Sequence, residues 1–374
     1  MLGIPYRTFS RDCFNKGAQE GLPIRGEFAL TYRCGLRCQM CYTDCYNQAP
    51  FIKKELPTEK ILALLNEVCD AGGLWLCLTG GDPLVHPDFK EIYRHAKSLG
   101  FILTIFTNGV SMTEEMADFL CQNRPFVIEV TQYGATQQTY EAVTQAAHSY
   151  ERFRAGIDRI VKRKLPLKLK ATPIQQNAHE LNAMKAFAAS LGVSFKFSPM
   201  IYPRLNGDPV PTTMRLSPEE IVDIWLSSLS DPEKLKEWVL SYRPGAQLLR
   251  CASGINSFAI DPCGNLLFCV SLENPSYDLT KGSFLEGFRT LYPRMRAQTF
   301  QTASYCRQCE IVPLCEKCPA HTYGEADPEE PVEFYCRIAH EKAKRLGIDM
   351  NRPVFWKDGR PTLHDPAPVS PISA

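Results

Sequence analysis

Between residues 27 and 200 the chain alternates short β-branched or aromatic runs with amphipathic helical stretches six times over, which restricts it to an α/β fold. Strands are predicted at 28–31, 74–78, 101–106, 126–130, 167–171 and 193–197. Between the first two, Ile61, Leu64, Leu65 and Val68 recur at helical spacing behind Pro57-Thr58, and Gly72-Gly73 stop them. Further helices are expected at 88–99, closed by Gly100, and behind Thr113, carrying Met116, Phe119 and Leu120. A pair follows at 136–144 and 150–163, then one at 178–191. With no long hairpins, this pattern predicts parallel βαβ units with right-handed crossovers. Six units fall short of the eight that close a barrel, and a functional site is expected at the carboxyl ends of the strands.

The loop after the first predicted strand reads Cys34-Gly-Leu-Arg-Cys38-Gln-Met-Cys41. Three thiolates at this spacing can hold three irons of a [4Fe–4S] cube and leave the fourth iron open. A structural zinc site normally takes four protein ligands, and an electron-transfer cluster takes four cysteines. Cys45 is the one nearby thiol able to close the set. Sixteen cysteines in a chain without a signal peptide or an apolar span read as metal ligands and free thiols of a reducing cytosol, not as disulfides. Cys69 and Cys77 fall in apolar patterns and read as small buried hydrophobes. A net charge of +1 carries no electrostatic footprint for nucleic acid, and no stretch is long and apolar enough for a membrane.

The run CGLRCQMCY, with the aromatic Tyr42 after its third cysteine, resembles the signature of the radical S-adenosylmethionine (radical SAM) enzymes. That resemblance implies a partial (βα)₆ TIM-like barrel and a [4Fe–4S] cluster on Cys34, Cys38 and Cys41, whose open iron takes SAM. Gly80, Gly81 and Asp82 stand where such enzymes carry a turn that engages the amino group of SAM, with Asp82 one methylene shorter than the usual glutamate. Glycine there permits close backbone approach. Thr107 and Asn108 after the third strand, and Thr131 after the fourth, are implied to face the ribose and carboxylate of SAM. Tyr133 and Arg204 are further candidates to meet substrate. No serine–histidine pair or paired carboxylates suggest acid–base or nucleophilic catalysis.

A second group of cysteines occupies the last third: Cys251, Cys263, Cys269, Cys306, Cys309, Cys315, Cys318 and Cys336. Taken alone, Cys306, Cys309, Cys315 and Cys318 have the spacing of a zinc knuckle. Beside the other cysteines they resemble the SPASM extension of radical SAM enzymes that modify peptides, with two residues instead of three between Cys315 and Cys318. The resemblance implies two auxiliary clusters, one on Cys306, Cys309, Cys315 and Cys336, the other on Cys251, Cys269 and Cys318. Cys263 either completes the latter set or is a turn residue. Either metal would contribute folding energy to a segment thin in apolar residues.

The expected organisation is an extension over 1–26, a barrel over 27–200, a bridge over 201–250, the auxiliary-cluster domain over 251–345 and a proline-rich, loosely ordered tail over 346–374. Ser217, Pro218 and Glu220 open a helix inside the bridge as a capping box. By resemblance the activity is reductive cleavage of SAM to a 5′-deoxyadenosyl radical that abstracts a substrate hydrogen. The substrate is expected to be a ribosomally made peptide undergoing crosslinking. A small molecule such as a tetrapyrrole is the enzymatic alternative, and a non-catalytic iron–sulfur or zinc scaffold is the alternative from another class. A sulfatase-type maturase is disfavoured, because Val270 follows Cys269 where those enzymes carry an Asp. Expected partners are a reductant such as flavodoxin or ferredoxin and, because 33 residues precede Cys34, a separate leader-binding protein.

Overall fold

The computed structural model describes residues 4–43, 47–322, 325–348, 355–357 and 360–362. Cys45 therefore lies outside the described residues. The six expected strands are all present: β1 (Arg25–Ala29), β2 (Trp75–Thr79), β3 (Ile102–Thr107), β4 (Val127–Thr131), β5 (Leu167–Ala171) and β6 (Ser194–Phe197). Each pairs in parallel with the next. Along them side chains alternate between two faces. Phe28, Leu78, Leu103, Ile105, Ile128, Val130 and Leu169 point to the helices and are fully buried. Thr58–Asp70 returns its apolar stripe Ile61, Leu64, Leu65 and Val68 to that layer. The Thr113 hydroxyl caps Glu114–Gln122 by accepting from the Met116 N–H at 3.1 Å.

The other face is the concave one. On a flat sheet β1 and β5 would lie about 19 Å apart. Yet Lys170 on β5 acts electrostatically on Glu27 of β1 and on Cys77 of β2. The Lys170 ammonium also stands 3.3 Å from the ring centroid of Phe106 on β3. The sheet is rolled into a partial barrel. It stays open at the free edge of β6, because β1 pairs on its other side with β7 (Ser257–Ile260). At the amino end of the strands the helix Tyr6–Glu20 packs on Trp75, whose indole N–H donates to the Tyr6 hydroxyl at 2.9 Å while Phe14 stacks on it at 4.9 Å.

β7 runs parallel to β1, and β8 (Asn265–Cys269) and β9 (Leu272–Asp278) continue the same sheet antiparallel. Residues expected to open a separate cysteine-rich domain thus extend the barrel sheet. The side chain of Phe258 needs the space over Gly26, where a Cβ would sit 2.0 Å from its ring. The helix Phe284–Arg296 then covers the extension, with Phe284 edge-on to Phe258 at 4.8 Å. One compact unit runs to Arg215 and resumes over Leu249–Gln298; the other holds Leu216–Leu248 and continues from Thr299.

In that other unit Ser217 forms the expected capping box with Glu220 at the start of Pro218–Leu226. Arg345 of the helix Glu333–Arg345 pairs with Asp223 at 2.9 Å. Val239, Ile311, Leu314, Ala339, Ala343, Leu346 and Ile348 make a small separate core. Within the expected loose tail, Phe355–Lys357 and Arg360–Thr362 pair as an antiparallel ladder. Among the described residues no helix is long and apolar enough to cross a membrane.

Candidate active site

The hydrogen-bond ladder between β1 and β2 continues past both strands and joins the two expected motifs. The Leu30 N–H donates to the Thr79 carbonyl at 2.8 Å, Gly81 to Thr31 at 2.7 Å and Asp82 to Arg33 at 2.9 Å. A Cβ on Gly80 would meet the Thr31 carbonyl oxygen at 2.5 Å, and one on Gly81 would meet that of Arg33 at 2.2 Å. The close approach that requires these glycines is therefore to the cysteine loop itself.

Two residues that sequence reasoning missed hold the stem of that loop. The Glu55 carboxylate accepts from the Thr31 hydroxyl and the Tyr32 N–H, both at 2.7 Å, and pairs with Arg33. Asn47, in left-handed conformation at φ 61°, accepts from the Cys34 N–H at 2.8 Å and donates to the Cys34 carbonyl at 2.9 Å. Asn is among the few non-glycine residues that adopt this conformation readily, the one signal the sequence offered. Farther along, the Arg37 and Gln39 N–H groups donate to Thr144 and Val143.

Cys34, Cys38 and Cys41 are half-buried and act on one another electrostatically. Burial, then the Asp82 carboxyl, pushes the Cys34 thiol up to about 12. Burial and then Cys41 raise Cys38, against a hydrogen bond from Tyr133. The Asn108 side-chain N–H donates to the Cys34 sulfur at 3.5 Å. Thiols in this state are neutral until a metal takes the proton's place, and coordination deprotonates them outright. Three soft donors in one loop, with hydrogen bonds aimed at two of their sulfurs, fit an iron–sulfur cluster. Nearby, at the carboxyl end of β4, the buried Gln132 side-chain oxygen has no protein partner. An acceptor left this way suits a ligand's donor.

Strand parity separates the expected SAM contacts. Asp82 is fully buried, and its carboxylate accepts from the Thr107 hydroxyl at 2.7 Å, the Asn108 N–H at 3.0 Å and the Leu84 N–H at 3.0 Å. Burial outweighs these bonds and lifts it to about 6. Thr107 shares the helix-facing side of β3 with Leu103 and Ile105, and its hydroxyl also accepts from the Gly109 N–H at 3.0 Å. Both side chains brace β2 against β3. Asn108 reaches the cysteine loop, and Thr131 lies half-buried on the concave face. Tyr42 is exposed, and its carbonyl accepts from the Leu205 N–H at 2.8 Å.

Of the later cysteines, Cys306, Cys309, Cys315 and Cys336 are brought together. Burial lifts Cys315 to about 12, with Cys309 and Cys306 adding to it, and Cys336 responds to the same three thiols. Among the described residues no three His, Cys, Asp or Glu side chains are drawn around a single-ion position. Cys251 and Cys269 belong to the barrel unit and Cys318 to the other. Cys263 precedes β8 and Cys269 ends it. Cys263 lies in the turn after β7, at the carboxyl end of β1, with its sulfur 3.9 Å from the Tyr32 hydroxyl. Cys269 stands about 13 Å of strand beyond Asn265.

Residues 28–188 match the Radical SAM superfamily. This stretch is a radical SAM domain. The AdoMet-dependent heme synthase of Methanosarcina barkeri (strain Fusaro / DSM 804) is 27% identical over 332 residues, 82% of this chain and 94% of that protein. The PqqA peptide cyclase of Rhizobium meliloti (strain 1021) is 31% identical over 163 residues, so the chain spans 43% of that relative's length and 43% of its own is matched. Among solved structures, native anSMEcpe with bound AdoMet and Cp18Cys peptide superposes with a TM-score of 0.64 at 17% identity, covering 87% of this chain and 98% of that one. At that identity the likeness shows the fold.

Proposed function

We propose that the chain is a cytoplasmic radical SAM/SPASM enzyme that acts on a ribosomally made peptide, forming a crosslink or a related modification. The observation that carries this is the loop at the carboxyl end of β1. It presents Cys34, Cys38 and Cys41 together and is stitched to the Gly80–Asp82 turn by the Thr31 and Arg33 carbonyls. A cluster bound there would supply the electron that cleaves SAM to the 5′-deoxyadenosyl radical.

The chain's own residues then have separable tasks. Asn108 and Tyr133 hydrogen-bond to two of the ligand sulfurs and so adjust the cluster's potential. Glu55 and Asn47 hold the loop, while Thr131 offers its hydroxyl to SAM. Cys306, Cys309, Cys315 and Cys336 are the ligand set of one auxiliary cluster, and the resemblance implies a second. The peptide named with the structural neighbour, and that in the name of the cyclase, support the substrate class. A flavodoxin or ferredoxin would supply the electron.

One observation favours a second assignment: the relative similar along most of the chain is named a heme synthase. A tetrapyrrole is the substrate under that assignment. Both share a test. Anaerobically reconstituted protein should hold about twelve irons per chain if all three clusters are cubes, and release 5′-deoxyadenosine from SAM under reductant. Cys34→Ala should abolish that release. Iron-replete wild-type protein that releases none would overturn both assignments in favour of a scaffold.

A further inference from the structure

Every charged side chain of the six parallel strands lies on the concave face: Arg25 and Glu27 on β1, Glu129 on β4, Lys168 and Lys170 on β5, and Lys196 on β6. Four basic groups thus face two carboxylates. Lys168 reaches Glu129 only at 3.9 Å. Lys170 sits over the Phe106 ring and faces Glu27, Cys77 and Glu129, and Lys196 stands directly opposite it in register. Among the described residues no carboxylate lies within ion-pair distance of Lys170 or Lys196. Like charges opposed across a strand pair destabilise a sheet. Here the pair occupies the open edge of the barrel, where Lys196 is exposed, and Lys170 is level with Thr131 at the carboxyl end.

We propose that Lys168, Lys170 and Lys196 form the subsite that takes a carboxylate group of the substrate at the open edge of the barrel. The inference rests on the radical SAM assignment and adds the chemical class of its substrate. A carboxylate between two ammonium groups relieves their repulsion and accepts charge-assisted hydrogen bonds from both. Its source is an acidic residue of a peptide or the propionate of a tetrapyrrole.

The test uses reconstituted holoenzyme with SAM and follows binding, not turnover. The probes are a fluorescent Glu-Ala repeat peptide with its Gln-Ala counterpart, and mesoporphyrin with its dimethyl ester. At least one acid should bind about tenfold tighter than its neutral form, and the pair that shows the preference identifies the source. Lys196→Met and Lys168→Met should each remove most of the preference, Lys196→Arg should keep it, and SAM affinity by equilibrium dialysis should not move.

The proposal is overturned if neither acid is preferred, or if the preference survives both methionine variants. It is equally overturned if SAM affinity falls together with probe binding, because the carboxylate held would then be that of SAM. Release of 5′-deoxyadenosine from wild-type enzyme without probe is scored separately. Its absence would remove the radical assignment while leaving an observed acid preference in place.

Discussion

The loop over Cys34–Cys41 and the segment over Cys306–Cys336 gather thiols by different means. Each is entered through a glutamate that accepts several hydrogen bonds: Glu55 from Thr31 and Tyr32, Glu329 from the Gln301 and Thr302 N–H groups at 2.8 Å and the Thr302 hydroxyl at 2.6 Å. The first clamp stands on an extended β1–β2 ladder whose helix-facing residues Phe28 and Leu78 are fully buried. The second stands on the one-turn helix Tyr305–Gln308, the short turn Val312–Leu314 and a core of a few side chains. A loop that would present an open metal position under the proposed function is thus built to hold its shape on the sheet. Under the same proposal, thiols that would all belong to an auxiliary cluster are left for metal to organise.

Removing iron is the harshest way to test that difference. Chelation of anaerobic holoprotein should strip hydrogen-exchange protection from residues 305–345 while β1–β5 stay protected, because metal binding of about 10 kcal/mol or more supports such segments. Equal loss in both would erase the distinction. Next in size, Gly81→Ala should cost about 3 kcal/mol in urea unfolding, since its Cβ meets backbone that cannot yield. Wild-type stability in that variant would mean the loop is not held by the ladder.

Glu55→Gln should cost about 2 kcal/mol by removing a charged acceptor from two donors and Arg33. A cost near zero would shift the clamp's role to Asn47. The smallest effect is one of pH. Hydrogen bonds from Thr302 and Gln301 hold the Glu329 carboxyl below its usual 4.5. Its stabilisation is therefore complete above pH 4.5 and lost as pH falls through the lower folded value. Exchange at the Gln301 and Thr302 amides should lose protection on acidification in wild type, and should be insensitive to that change in Glu329→Gln.

Much of this was legible before any coordinates. The six strands, their helices and the cysteine loop at a strand's carboxyl end follow from apolar periods of two and of about 3.6, which are local properties of the chain. The capping residues Thr113 and Ser217 were legible for the same reason. The place of Cys263 was not, because it depends on β8 running back from the turn beside Tyr32. Nor was the fate of 249–298, since the pairing of β7 with β1 joins residues more than two hundred positions apart. Asp82 and Thr107 look like ligand contacts in a motif, and only the fold shows that they bond each other between β2 and β3.

The linear order of residues settled the type and order of the elements and the kinds of donor available to a cofactor. Folding in three dimensions decided which of those donors face a common space and which are consumed by the protein itself. The physical reason is that periodicity and capping act within a turn or two of chain, whereas the concave face, with its lysines on β5 and β6, exists only once the sheet has rolled.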